Sequence, residues 1–159
     1  MHRAGFGYDI HRLEAGRRLV LGGVAIPFRS GLAGHSDGDA LVHAIIDALL
    51  GGLGEADIGA RFPDTDPWTE GARSTDLLAE VVGLLEKRGA EILNVDTVIV
   101  AEEPKMGPHV PAIKAALSPI LGIPETRLGI KAKTNEGLGP VGEKRAIACF
   151  AVAQMRFPD

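Results

Sequence analysis

His35-Ser36-Asp37-Gly38-Asp39-Ala40-Leu41-Val42-His43 puts two histidines, a serine and two aspartates ahead of, and into, an apolar run over 40–50. The run has helical spacing, with Leu41, Ile45, Ala48 and Leu49 on one stripe. Asp37 or Asp39 is its N-cap, because a carboxylate accepts hydrogen bonds from first-turn N–H groups that lack a partner inside the helix. The spacing predicts a helix over 39–52, with His43 in its first turn and His35 and Ser36 on the loop before it. Such a loop suits an anion, since free N–H groups and the positive end of the helix dipole point the same way. Asp47 shares a face with His43 at i, i+4. There it either orients the imidazole as an acceptor or stays solvated.

Toward the N-terminus, Gly5-Phe6-Gly7-Tyr8-Asp9-Ile10-His11 alternates as a strand over 3–12. Period-2 geometry sends Asp9 and His11 to one face and Tyr8 and Ile10 to the other. The two polar side chains then project about 7 Å apart. Alone, the pair fits an exposed polar edge. With His43 it becomes a carboxylate and two histidines that leave a coordination position open, as catalytic zinc sites do. Arg18-Leu19-Val20-Leu21-Gly22-Gly23-Val24-Ala25-Ile26-Pro27 reads as a hairpin about Gly22-Gly23.

Toward the C-terminus, 54–67 reads as an irregular loop rich in Asp, Thr, Pro and Gly, where Asp57 and Asp64 either accept from sugar or polyol hydroxyls or, as composition alone favours, serve turn chemistry only. An amphipathic helix is predicted over 74–88, capped by Ser74 or Thr75 and stopped by Gly89. A β-branched strand follows over 93–101, and it runs into Glu102-Glu103-Pro104-Lys105-Met106-Gly107. A third helix is expected over 109–121, with Pro111 tolerable only in its first turn. A strand over 128–136 ending in polar residues and a buried last strand over 146–155 complete the chain. Glu143-Lys144-Arg145 between them reads as a solvated turn.

The 159 residues suffice for one domain with a real core. A formal charge of −4 argues against a nucleic-acid partner, which calls for a basic stripe. Cys149 is the only cysteine, so no disulfide forms within the chain and a reducing compartment fits. No run is long enough to span a bilayer, and the N-terminus shows no secretory h-region. The expected location is cytoplasmic, with no membrane partner.

Six blocks, in this order along nearly the whole chain, resemble the 2-C-methyl-D-erythritol 2,4-cyclodiphosphate synthase family of the non-mevalonate isoprenoid pathway. They are Gly7-Tyr8-Asp9-Ile10-His11, the opening 35–43 stretch, Asp57-Ile58-Gly59, Phe62-Pro63-Asp64-Thr65-Asp66-Pro67, Pro104-Lys105-Met106 and Thr134-Asn135-Glu136. The resemblance implies a single α/β domain of α+β type over 1–159. It implies a mixed sheet with helices on one face, similar to the Bacillus chorismate mutase fold. Three copies would assemble with sheets around the axis and active sites between subunits. It implies conversion of 4-diphosphocytidyl-2-C-methyl-D-erythritol 2-phosphate to the 2,4-cyclodiphosphate with release of CMP, the work of a phosphorus–oxygen lyase.

By the same resemblance, Asp9, His11 and His43 would hold zinc or another divalent metal. Glu136 would hold magnesium or manganese on the diphosphate. His35 and Thr134 would be the catalytic pair that positions phosphates, beside Ser36, Lys133 and Asn135. Asp57, Ile58, Gly59, Phe62, Pro63, Asp64, Thr65 and Asp66 would line the hydroxyl-bearing part of the substrate. Ala101, Glu102, Glu103, Pro104, Lys105, Met106 and Gly107 would cradle cytosine, largely by backbone groups. The chain departs from the family where Lys133 and Asn135 replace threonines. It departs again at Pro140, at Glu143 and over Lys144-Arg145-Ala146, so the isoprenoid-diphosphate site proposed near the trimer axis of relatives is not carried over. The residues alone leave two other readings open: a zinc phosphoesterase using bound water, and a metal-keeping binding protein without turnover. No general base stands beside the triad for the first, and Thr134 with Glu136 speaks against the second.

Overall fold

The first strand, β1 (His2–Ala15), is glycine-spaced on one face and aromatic on the other, and the rest of the molecule follows from that difference. After it come β2 (Leu19–Leu21), β3 (Val24–Ile26) and β4 (Ser30–Leu32), then helices α1 (Ala40–Leu53), α2 (Ile58–Arg61) and α3 (Ser74–Lys87). The chain ends with β5 (Glu91–Val100), α4 (Val110–Leu121), β6 (Leu128–Lys133), α5 (Gly139–Gly142) and β7 (Ala146–Arg156). This computed structural model describes residues 1–158.

Five strands form one mixed sheet in the order β4-β1-β7-β5-β6, with β5 and β6 parallel and the other neighbours antiparallel. The expected single sheet is therefore corrected: β2 and β3 pair only with each other. Burial of Leu19, Leu21 and Ile26 in the core and a carboxylate clasp, not strand pairing, join this hairpin to the body. The buried Asp39 carboxylate accepts Gly22 N at 2.9 Å, Gly23 N at 2.7 Å and Val42 N at 3.0 Å. One side chain thus caps α1 and closes the hairpin turn, whose two glycines both adopt positive φ. Burial pushes the Asp39 carboxyl up to about 6, with the Asp37 charge adding to it, against the pull of the three N–H donors.

Helices α1, α3 and α4 cover one face of the sheet. Helix α1 is buried nearly all round, with only Asp47 and Gly51 outside the core, so its predicted apolar stripe is in fact a sleeve. It packs against β1 and β7 of the sheet and against α3, with α2 and β2 also in contact. Helix α3 begins where expected, but neither Ser74 nor Thr75 caps it. Asp37 does so from across the chain by accepting Ser74 N at 3.0 Å, because the Ser74 hydroxyl is engaged elsewhere. The 54–67 segment contains the short helix α2, which Asp57 caps through Ala60 N at 2.9 Å. β6 stops at Lys133, three residues before its predicted end.

The last strand is corrected as well, since it is buried on one face only. Cys149, Ala151 and Ala153 are enclosed, while Phe150 and Val152 stand in solvent. Phe150 faces Tyr8 and Val152 faces Phe6 across the β1–β7 pair, so the uncovered face carries an aromatic and aliphatic strip. The chain ends meet at the far end of the same pair: His2 is opposite Arg156, and Phe157 N donates to Met1 O at 2.8 Å. Among the described residues no helix is long and apolar enough to cross a membrane.

Candidate metal centre

The contact between β1 and α1 builds the site. A Cβ on Gly5 would lie 1.7 Å from Ala48 O, and one on Gly7 would lie 1.9 Å from Ala44 O. Only glycine lets the helix backbone rest directly on the strand. Two residues of strand advance about 6.8 Å and four residues of helix about 6 Å, so the two elements stay in step. One step beyond Gly7 the strand presents Asp9, and His43, the residue before Ala44, reaches it from the helix.

Three ligand atoms converge there. Asp9 Oδ2 lies 2.8 Å from His11 Nε2 and 3.1 Å from His43 Nδ1, and the two ring nitrogens lie 3.2 Å apart. Zinc bonds of 2.0–2.1 Å set at tetrahedral angles give ligand separations of about 3.3 Å, so the triangle fits such an ion.

The donor set points the same way. His11 Nδ1 donates to Ala33 O at 2.5 Å, which leaves its Nε2 lone pair turned inward. The Ser74 hydroxyl donates to Asp37, so its oxygen accepts from His43 Nε2 at 2.8 Å, and His43 Nδ1 also turns a lone pair inward. Two lone pairs and a carboxylate oxygen facing one another repel unless a cation, or a proton in its place, sits among them. Burial pushes the Asp9 carboxyl up, but hydrogen bonds and charge from His11 and His43 outweigh it and hold Asp9 below the usual range. Burial pushes His11 down, and Asp9 outweighs that, leaving His11 raised.

A cavity of about 250 Å³ opens over the triad. Gly34, His35 and Ser36 line it from the loop before α1, and Ile58, Gly59, Phe62 and Asp64 line it from the α2 segment. His35 Nε2 is buried and has no hydrogen-bond partner among the described residues. Of the other expected residues of that segment, Asp57 and Asp66 cap short helical turns, while Pro63 and Thr65 do not line the cavity. Asp47 does not meet His43. Its carboxylate accepts Ile58 N at 2.8 Å and so anchors α2 beside the metal pocket. The groups that orient His43 are Ser74 and Asp37, expected only as helix caps.

The residues expected around cytosine form a different cavity, of about 360 Å³, lined by Ala101, Glu102, Lys105, Met106, Gly107, Lys133 and Thr134 among others. It shares no lining residue with the metal pocket. Glu103 and Pro104 lie outside it; Glu103 instead pairs with Arg29 at 2.7 Å and Lys144 at 2.8 Å. Glu136 is not among the groups that converge on the triad. It occupies a positive-φ turn, at 52°, beside Thr134 Oγ1 at 3.3 Å. The Glu102 carboxylate holds that turn by accepting Asn135 N at 2.8 Å and Gly137 N at 3.3 Å, a side-chain role that the expected backbone cradle missed. Asn135 itself is turned away to Leu138 O at 2.6 Å.

Known proteins resemble this chain over nearly its whole length. A profile described as the YgbB family matches residues 2–156. A protein from Gloeobacter violaceus named 2-C-methyl-D-erythritol 2,4-cyclodiphosphate synthase is 57% identical over 150 residues, 94% of this chain and 92% of the relative. One of the same name from Symbiobacterium thermophilum is 55% identical over 149 residues, covering 94% and 95%. A solved structure of 2C-methyl-D-erythritol-2,4-cyclodiphosphate synthase in its CDP-bound form superposes with a TM-score of 0.90 at 44% identity, covering 97% of this chain and all of that one.

Proposed function

The chain belongs to the YgbB family, whose relatives are the 2-C-methyl-D-erythritol 2,4-cyclodiphosphate synthases of isoprenoid biosynthesis, and on that premise we propose how its residues carry the reaction. It converts 4-diphosphocytidyl-2-C-methyl-D-erythritol 2-phosphate to the cyclic diphosphate and CMP. An oxygen of the substrate's own 2-phosphate attacks the β phosphorus, the bond from that phosphorus to the bridging oxygen breaks, and CMP leaves with the electron pair. No water is consumed, which makes the step that of a phosphorus–oxygen lyase.

The protein supplies no nucleophile, so its residues bind, fold and align. Holding the two ends of one molecule in a ring-closing pose is worth roughly 7–11 kcal/mol. His35 is suited to the phosphates, because its buried Nε2 lacks any other partner. Asp64 and Gly59 line the metal pocket where the polyol would lie, and Thr134 and Lys133 line the second cavity, where the diphosphate would enter. A divalent cation such as zinc on Asp9, His11 and His43, with magnesium or manganese at Glu136, would neutralise phosphoryl oxygens as a Lewis acid.

The two cavities belong to opposite ends of one substrate, yet in one chain they are separate. A second copy is what would bring a cytidine cavity to a metal pocket. The bare strip of Phe6, Tyr8, Ile10, Phe150 and Val152 is the surface for it, and a trimer with its sheets around the axis, in the chorismate mutase manner, fits. The single buried thiol, Cys149, suits the cytoplasm.

The observation that carries the reading is the inward-facing triad. The test is incubation of the metal-replete protein with the cytidyl substrate, followed by phosphorus NMR. The expected products are CMP and a cyclic diphosphate, with turnover abolished by chelator and restored by zinc. A linear diphosphate, or no CMP at all, would defeat it.

A further inference from the structure

We propose that Arg17, which lies outside both cavity mouths described above, is a positioning residue for the cyclisation: its guanidinium fixes the loop that presents His35 to the phosphates. The proposal rests on the reaction assigned above. Arg17 sits in the connection between β1 and β2. Its Nη2 donates to Gly34 O at 2.9 Å and to Ser36 O at 2.9 Å, the two carbonyls that bracket His35. A guanidinium NH₂ has two hydrogens in a fixed plane, so one nitrogen serves both carbonyls and sets the curvature of the chain between them.

The loop is a thin wall. Gly34, His35 and Ser36 line the metal pocket on one side. Arg17 lines a separate cavity on the other side, with Ser36, Asp37 and Arg73. The clamp therefore acts from behind and needs no contact with substrate. His35 depends on it more than its neighbours do. Its imidazole Nε2 has no partner of its own, so its aim is inherited from the backbone. The adjoining peptide groups have separate ties: Ala33 N to Arg12 O at 2.8 Å, His35 O to Gly71 N at 2.9 Å and Asp37 N to Ala72 O at 3.1 Å. The first and last hold the ends of the loop and the second ties the His35 carbonyl itself, which leaves the two carbonyls that flank His35 to Arg17. Among the described residues no other side chain is recorded on the Gly34 and Ser36 carbonyls. Without Arg17 the loop would stay attached but the ring would wander, and misplacement of a catalytic group by about 1 Å costs on the order of 100-fold in rate.

The experiment compares wild type with Arg17→Ala and Arg17→Lys in the CMP-release assay, with zinc content and melting temperature recorded for each. For Arg17→Ala we expect kcat to fall about 10- to 100-fold with KM within about twofold of wild type, because the lost interaction acts in the transition state. Zinc content should be retained, and guanidinium ion added at millimolar concentration should restore part of kcat. Arg17→Lys, which keeps the charge without the planar fork, should fall between. It also carries the comparison if the alanine variant does not fold. A kcat within about twofold of wild type, or a loss that tracks zinc content and is not rescued, would overturn the proposal. The wild type separates this from the reaction itself: if it releases no CMP, the assigned reaction fails, and the ¹⁵N resonances of the His35 imidazole decide the clamp. They should be sharp in wild type and broadened in Arg17→Ala; equal line widths would overturn it.

Discussion

Ser74 is the side chain on which the state of His43 turns. Its hydroxyl hydrogen goes to Asp37 and its oxygen receives His43 Nε2–H, so Nδ1 is left as the metal-facing atom. Removing such an orienting partner costs about 10- to 100-fold in metal affinity. Ser74→Ala should therefore weaken zinc binding by that factor while the helix it starts persists, because Asp37 still accepts the backbone N–H at position 74. Titration against a competing chelator checks this, and unchanged affinity would mean that Ser36 Oγ, 3.2 Å from the same nitrogen, suffices.

The contact of α1 with β1 converts two glycines into a metal site. Gly7→Ala should cost about 1–3 kcal/mol of stability, as overpacking does. It should also loosen the metal, because the added Cβ would meet Ala44 O at 1.9 Å and push the helix carrying His43 off the strand carrying Asp9. Gly51→Ala is the control on the same helix: its Cβ would come no nearer than 3.8 Å to Gly5, and it should be neutral or stabilising. Denaturant melts with and without zinc measure both, and equal stability of Gly7→Ala and wild type would contradict the packing argument.

The same contact shows how far the sequence could be read. Strand alternation put Asp9 and His11 on one face and helical spacing put His43 in a first turn, so the triad and the main elements were legible from periodicity. The orienting shell was not. Serine before a helical run looks like a cap, and nothing local tells that Asp37, 37 positions away, takes that part and frees the hydroxyl for His43. Asp47 misled for a related reason: i, i+4 spacing brings two side chains near, but the unsatisfied N–H at the start of α2 was a better partner than an imidazole already engaged at both nitrogens. Burial also escaped the periodic reading. One apolar stripe was read on α1, whereas α3, α2 and β2 also pack against it, and the uncovered side of β7 is apolar, so hydrophobicity alone marked it as interior.

That uncovered side is the surface on which the proposed assembly would form. Phe6 is 63% exposed and Phe150 37%, an apolar strip on a sheet whose other face is fully packed. If three copies meet there, sedimentation should give about three times the 16.7 kDa chain mass. Phe150→Asp should then reduce the particle to one chain and abolish CMP release. Zinc binding should survive, because all three ligands come from a single chain. A trimeric, active Phe150→Asp variant would remove the strip from the interface.

The pairing of His2 with Arg156 brings the two ends of the polypeptide side by side. Asp9 lies seven positions further along that strand, which at about 3.4 Å per residue is roughly 24 Å away. A second enzyme tethered at either extremity would hang clear of the chemistry, so gene fusion could join this catalyst to a neighbour in its pathway without rebuilding a single element of the core.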